Sequence, residues 1–239
     1  MRRFESYGEG IPGVDPGDLS GWLIVIEGTD GVGRTTHVNH LRGVLEREGY
    51  AVAETGLTRS DLAASGIRRA KEGNTLGSNA YNLFYATDFA DRLEQQIVPA
   101  LRAGFVMITD RYIYSLIARA IVRGADGEWI KNVYSFSLKP DAVFYLRIDA
   151  EELVPRVLAA GGFDYWESGM DMPMGEDLYE SFINYQRRVI QELDILATEF
   201  EFDTLDATRS VEENAERLAR RVSELLEVTE SLRGERSTA

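Results

Sequence analysis

The chain has no cysteine, only two histidines and few basic residues: 26 lysines and arginines stand against 40 aspartates and glutamates in 239 residues. Without cysteine, disulfides and thiolate metal sites are both excluded. His37 and His40 lie three apart on one predicted helix. Two such residues are too few for a histidine metal centre, and they read as helix-surface residues. No apolar run approaches membrane-spanning length. The opening MRRFESYGEG lacks the apolar stretch of a secretory signal, so a cytoplasmic location is expected. A net charge of −14 repels nucleic-acid backbones and anionic lipid, so neither nucleic acid nor membrane is an expected partner. A small anionic ligand is still compatible with that charge, provided local basic groups overcome the field.

What is present reads as ordinary globular protein, with 44% hydrophobic and 28% charged residues. Residues 1–20, rich in Gly, Pro, Asp and Ser and without periodicity, read as a poorly ordered extension outside the core. WLIVI at 22–26 is a β-branched apolar run between glycines, the pattern of a strand buried on both faces. A helical pattern follows from about 35 to 48, stopped at Gly49. The alternation continues with strands near 52, 105–109, 143–148 and 202–206. The intervening helices fall near 60–72, 78–103, 113–136, 151–159 and 177–199, with a last one at 211–228. Strands alternating with helices predict a parallel sheet of about five strands covered on both faces, a three-layer α/β/α fold. No repeat or linker splits it: 21–228 is one domain, and 229–239 is a C-terminal tail.

GTDGVGRTT at 28–36 joins the first strand to the first helix and fits G-x-x-x-x-G-K-[ST] at every fixed position but one, where Arg34 replaces lysine. Gly28, Gly31 and Gly33 can adopt conformations closed to other residues and turn successive N–H groups around a phosphate. The helix N-terminus behind them adds partial positive charge. Gly28, Gly31, Val32, Gly33, Arg34, Thr35 and Thr36 are therefore the expected donor-phosphate set, with the Thr35 hydroxyl on Mg²⁺. Arginine keeps the charge and binds two oxygens at once, but it is wider and more rigid than lysine.

At this point the chain resembles the thymidylate kinases, P-loop nucleoside-monophosphate kinases. LIVIEGTDGVGRTT is similar to that family's opening strand and loop, and FVMITDRYIYS to its second signature. LFYATDFADRLEQQIVPALRAG resembles its long acceptor-side helix, and TLDATRSVEE its adenine-side turn. The resemblance implies a P-loop kinase fold, the use of ATP and Mg²⁺, nucleotide substrates and commonly a homodimer. It places Asp30 near the acceptor sugar, Arg111 on the acceptor phosphate with Tyr112 beside it, and Asp110 at the magnesium shell. It puts Phe84 on the acceptor base and Asp206, Ala207 and Thr208 by the adenine. Asp110-Arg111 has the alternative of a simple strand-end salt bridge, and on helix periodicity alone Phe84 reads as core.

The departures are as specific. Relatives carry an acceptor-phosphate arginine where this chain has Phe89, leaving Arg92 to serve from an adjacent spot or to pair with Asp88 one turn away. Ala120 stands where relatives carry a base-reading glutamine. The lid expected at 157–186 has no lysine or arginine but holds Asp164, Glu167, Asp171, Glu176 and Asp177. Basic residues gather instead at Arg59, Arg68, Arg69, Lys71, Arg119 and Arg123, with Arg59 the first candidate for the missing acceptor arginine. Three readings stay open on sequence: a dTMP kinase, a kinase of the same fold with another acceptor, and a nucleotide-binding regulator without turnover.

Overall fold

The computed structural model describes residues 4–73 and 77–237, with side chains described as far as Glu227. Its elements are β1 (Trp22–Gly28), α1 (Arg34–Arg47), β2 (Val52–Gly56), α2 (Ala64–Gly73), α3 (Ser78–Arg92), α4 (Val98–Arg102), β3 (Val106–Asp110) and α5 (Ile113–Val122). They continue with α6 (Gly127–Val133), β4 (Ala142–Arg147), α7 (Ala150–Ala159), α8 (Leu178–Glu199), β5 (Asp203–Asp206) and α9 (Val211–Ser237). The five strands pair in parallel in the order β2-β3-β1-β4-β5.

β1 is buried along its whole length because both faces are covered. Its alternate side chains divide between two cores. Leu23 and Val25 pack with α3, α4, α5, α6 and part of α8, while Trp22, Ile24 and Ile26 pack with α1, α7, α9 and the rest of α8. This is the three-layer α/β/α arrangement of a P-loop kinase. It explains the unbroken apolar run, since each residue of a central parallel strand meets a helical layer.

The long helix expected over 78–103 is interrupted. A π-helical turn spans Leu93–Ile97, and the Val98 N–H bonds back to the Leu93 carbonyl five residues earlier. Pro99 follows at once and has no N–H for an α-helical bond, so the ladder must slip here. The helix expected over 113–136 is likewise two helices, parted at Gly124 with φ 88° and restarted by the Asp126 side chain capping Trp129 N. At the C-terminal end α9 runs on to Ser237, beyond the expected boundary at 228; of the predicted tail, residues 238–239 lie outside the described residues.

Residues 4–20 do not lie outside the core. Phe4 and Leu19 are buried, Ser6 bridges to Leu138, and the Tyr7 hydroxyl meets the Tyr114 hydroxyl at 2.5 Å. Two aromatic side chains bring enough apolar surface to dock a segment that has no periodicity of its own. Residues 1–3 lie outside the described residues.

His37 is also not a surface residue. It is buried on α1, where its Nδ1–H donates to the Gly33 carbonyl at 2.8 Å and Nε2 is buried without a partner. Burial lowers its pKa from 6.5, so the folded protein keeps the ring neutral where the unfolded chain would protonate it. The unfolded state then binds the extra proton, so stability falls as pH drops below about 6.5. Melting temperature is expected to decline through this range, and less steeply in His37→Gln. Parallel profiles for the two proteins would refute the assignment.

Candidate active site

β1 and β3 end side by side, with Ile26 in register with Asp110, and the loops that leave them form one wall. The loop after β1 turns on Gly28, Gly31 and Gly33, with φ of 149°, 79° and 100°. A Cβ at Gly28 would sit 2.9 Å from both the Leu146 carbonyl and Val32, so glycine is required by space as well as torsion. Gly33 is the N-cap of α1 and no side chain caps that end. The first N–H groups of the helix are thus left for a ligand, and an anion is the charge they suit.

Arg34 does not extend into the loop mouth. It is buried, with Nε donating to Asp110 Oδ1 at 2.6 Å and Nη1 donating to the Gly28 carbonyl at 2.7 Å and to the Thr29 carbonyl. Nη2 lies 3.8 Å from Asp30. The planar guanidinium therefore braces the loop to the end of β3, a span that lysine's point charge could not bridge in several directions at once. Thr35 Oγ1 lies 3.4 Å from Asp110 Oδ2, so a hydroxyl and a carboxylate converge there as a hard cation requires.

Asp30 is the electrostatic centre of the site. Arg111 donates to its Oδ1 and Arg119 to its Oδ2, placing two guanidinium groups on one largely buried carboxylate. Arg111 has φ 69°, a left-handed conformation rare for a non-glycine residue and maintained here by its surroundings. Its N–H donates to the Ile26 carbonyl at 2.9 Å, and the next N–H, of Tyr112, donates to Glu27 Oε1 at 2.8 Å. Burial, then the adjacent Arg119 charge, pushes the Arg111 guanidinium down to about 9. Glu27 is wholly buried and caps the start of α5 through Tyr112 N, Ser115 N and the Ser115 hydroxyl. Burial raises its pKa despite those bonds.

Two adjoining hollows open from this cluster. One, polar and of about 250 Å³, is lined by Arg59, Lys71, Asp110, Arg111, Arg119 and Glu167, so Arg59 does reach the site. The other is aromatic, lined by Tyr81, Asn82, Tyr85, Ala120, Trp166 and Tyr185 among others. Tyr81 and Tyr85, one turn apart on α3, point into it. Phe84 does not: it faces Gly66 of α2 and is 38% exposed. Tyr112 is wholly buried with its hydroxyl on the Leu138 carbonyl at 3.0 Å, and so touches neither hollow.

Asp88 and Arg92 are not open to a ligand either. They form a buried ion pair, Nε to Oδ2 at 3.0 Å, with Arg92 packed over the Phe89 ring and both its Nη atoms without partners. Asp88 also accepts from Thr58 N at 3.0 Å and Ser60 N at 3.1 Å, holding the loop that carries Arg59. Its role is thus to position that loop. Asp88→Ala would strand the Arg92 charge in the core and is expected to cost about 3–5 kcal/mol in denaturant unfolding. A loss below about 1 kcal/mol would contradict this pairing.

The acidic lid segment resolves residue by residue. Asp164 accepts from Trp166 N and Glu167 N, and Asp177 caps α8. Asp171 binds Arg123, which also donates to the Tyr185 hydroxyl and the Trp166 carbonyl. Only Glu167 of the five lines the hollows, facing the arginines. Trp166 stacks on Tyr81 at 5.6 Å with planes 16° apart, and Met174 packs into the core.

At the turn after β5, Asp206 accepts from the Thr208 N–H and hydroxyl, and Ala207 is buried. Arg156 of α7 donates to the Val32 carbonyl at 3.2 Å and the Ala207 carbonyl at 2.6 Å, clasping the glycine loop to this turn. Nothing in the sequence pattern marks Arg156, Asn82 or the Tyr81–Tyr85 pair. Only the rotation of their helices brings them here.

A glycine loop opening the first helix, a strand-end Asp-Arg beside it and an aromatic hollow on the same sheet edge define a kinase of the P-loop fold. The family model described as Thymidylate kinase matches residues 26–218. Over 200 residues the chain is 38% identical to "Probable thymidylate kinase 2" of Saccharolobus solfataricus, covering 82% of this chain and 92% of that one. It is 32% identical to "Thymidylate kinase" of Halothermothrix orenii, over 82% and 93% of the two chains. Against "Probable thymidylate kinase" of Thermococcus kodakarensis the identity is 35% over 56% of this chain and 70% of the other. The chain belongs to the thymidylate kinase family.

Proposed function

We propose that the protein transfers the γ-phosphoryl group of Mg·ATP to dTMP, giving ADP and dTDP. One observation carries the reading: the uncapped glycine loop and the Asp30–Arg111–Arg119 cluster stand beside an aromatic hollow at the carboxyl ends of β1 and β3. Ligand sites of parallel sheets form at that edge. The relatives named as thymidylate kinases support dTMP as acceptor.

When bound, Mg·ATP supplies the phosphoryl group and the metal charge, held by the amides of residues 28–36, Thr35, Asp110 and the turn at 206–208. Arg111, Arg119 and Arg59 offset the acceptor's phosphate charge and orient its oxygen for in-line attack. Catalysis is then mainly positioning and charge neutralisation, because the chain need form no covalent bond. The aromatic hollow has an open volume of about 30 Å³, room for about two waters. That is smaller than a pyrimidine ring, so side chains lining the hollow shift when a base enters it. The protein would act in the cytoplasm; no helix among the described residues is long and apolar enough to cross a membrane. A homodimer is supported by Leu83 and Phe84, left exposed on α3.

ADP formation from Mg·ATP across dTMP, dUMP, dCMP and dGMP tests the reading. Rapid acceptor-dependent ADP with dTMP is expected. Nucleotide-induced thermal stabilisation without ADP from any acceptor would instead mark a regulator.

A further inference from the structure

We infer that Asn82, on α3, reads the Watson–Crick edge of the acceptor's base. This rests on the dTMP reading and names the side chain that selects the base. Asn82 and Ala120 line the same aromatic hollow. Asn82 is only 7% exposed, and its Nδ2 is buried with no hydrogen-bond partner among the described residues. A buried amide donor without a partner does nothing for the fold, and mid-helix asparagine is a poor helix former. Its position is explained by a ligand that completes it.

The surrounding groups narrow the ligand. Arg123 is engaged by Asp171, Tyr185 and the Trp166 carbonyl, and Arg119, beside Asp30, serves the acceptor's phosphate. Lys71 and Glu167 also line the hollow as charged groups, whereas the carboxamide is a neutral group that donates and accepts side by side. Thymine and uracil present an N3–H donor flanked by carbonyl oxygens, which matches it in either amide orientation. Tyr81, Tyr85 and Trp166 line the same hollow and offer aromatic faces on which such a base can stack. A base methylated at N3 loses the donor and adds bulk at the point of contact.

The test is steady-state ADP formation with dTMP and with N3-methyl-dTMP, for wild type, Asn82→Ala and Asn82→Leu. In Asn82→Ala the KM for dTMP should rise about tenfold or more, while kcat and the KM for ATP stay within about threefold. Wild type should show a KM penalty of at least about tenfold for the N3-methyl substrate, and Asn82→Ala should lose most of it. Asn82→Leu, nearly identical in shape but with neither donor nor acceptor, should raise the dTMP KM without lowering the melting temperature. That variant separates recognition from folding. An unchanged dTMP KM in Asn82→Ala, or an equal N3-methyl penalty in both proteins, overturns the assignment and leaves the kinase reading standing. A wild type inert toward dTMP overturns both.

Discussion

Asp30→Asn is expected to lower kcat with dTMP by about 10²- to 10³-fold while ATP still binds. The carboxylate is held by Arg111 and Arg119 together and lies 3.8 Å from Arg34. Removing its charge leaves Arg111 and Arg119 in one largely buried site without the carboxylate that binds both, and their repulsion moves each from its place. A shift of about 1 Å in a positioning group is worth about a hundredfold in rate. Asparagine keeps the size, so the loss isolates charge from packing. The measurement is kcat against dTMP together with ATP-induced thermal stabilisation. A rate within about threefold of wild type would reduce the cluster to an incidental strand-end salt bridge.

Arg34→Ala is expected to lose about 10²- to 10³-fold in kcat and to raise the KM for ATP, whereas Arg34→Lys stays within about tenfold of wild type. The reason is the brace: Nε on Asp110 and Nη1 on the Gly28 and Thr29 carbonyls tie the loop to the end of β3. Alanine leaves two carbonyls and a carboxylate without their shared cation beside the loop, a field hostile to an anion. Lysine retains the charge but reaches fewer of these partners. Rates and ATP affinities for both variants decide the matter. Full ATP affinity and full rate in Arg34→Ala would show that the residue neither clamps phosphate nor shapes the loop that does.

The sequence made the framework legible because periodicity and glycine spacing are local signals. The five strands, the order strand–loop–helix around 28–36 and the Asp110-Arg111 strand end could all be read within short windows. The acceptor side could not. Whether α3 presents Tyr81 and Tyr85 or Phe84 to the hollow depends on helix rotation, which a four-residue offset in sequence leaves open. Arg92 reads either as a spare phosphate ligand or as a partner of Asp88, and only packing decides for the second, sealing it against Asp88 and Phe89. The acidic lid reads as hostile to phosphate until Asp164 proves to hold its own turn, Asp177 to cap α8 and Asp171 to pair with an arginine. Arg119, by contrast, was visible as part of a basic cluster, but its place on Asp30 depends on a contact across 89 residues. Long-range pairing of this kind leaves no trace in a single chain's pattern.

The central claim is tested most directly by following the label from γ-³²P-ATP in the presence of magnesium and dTMP. The account predicts that radioactivity moves into dTDP in step with ADP release, with little free phosphate. Label remaining in ATP, or appearing only as inorganic phosphate, would contradict it.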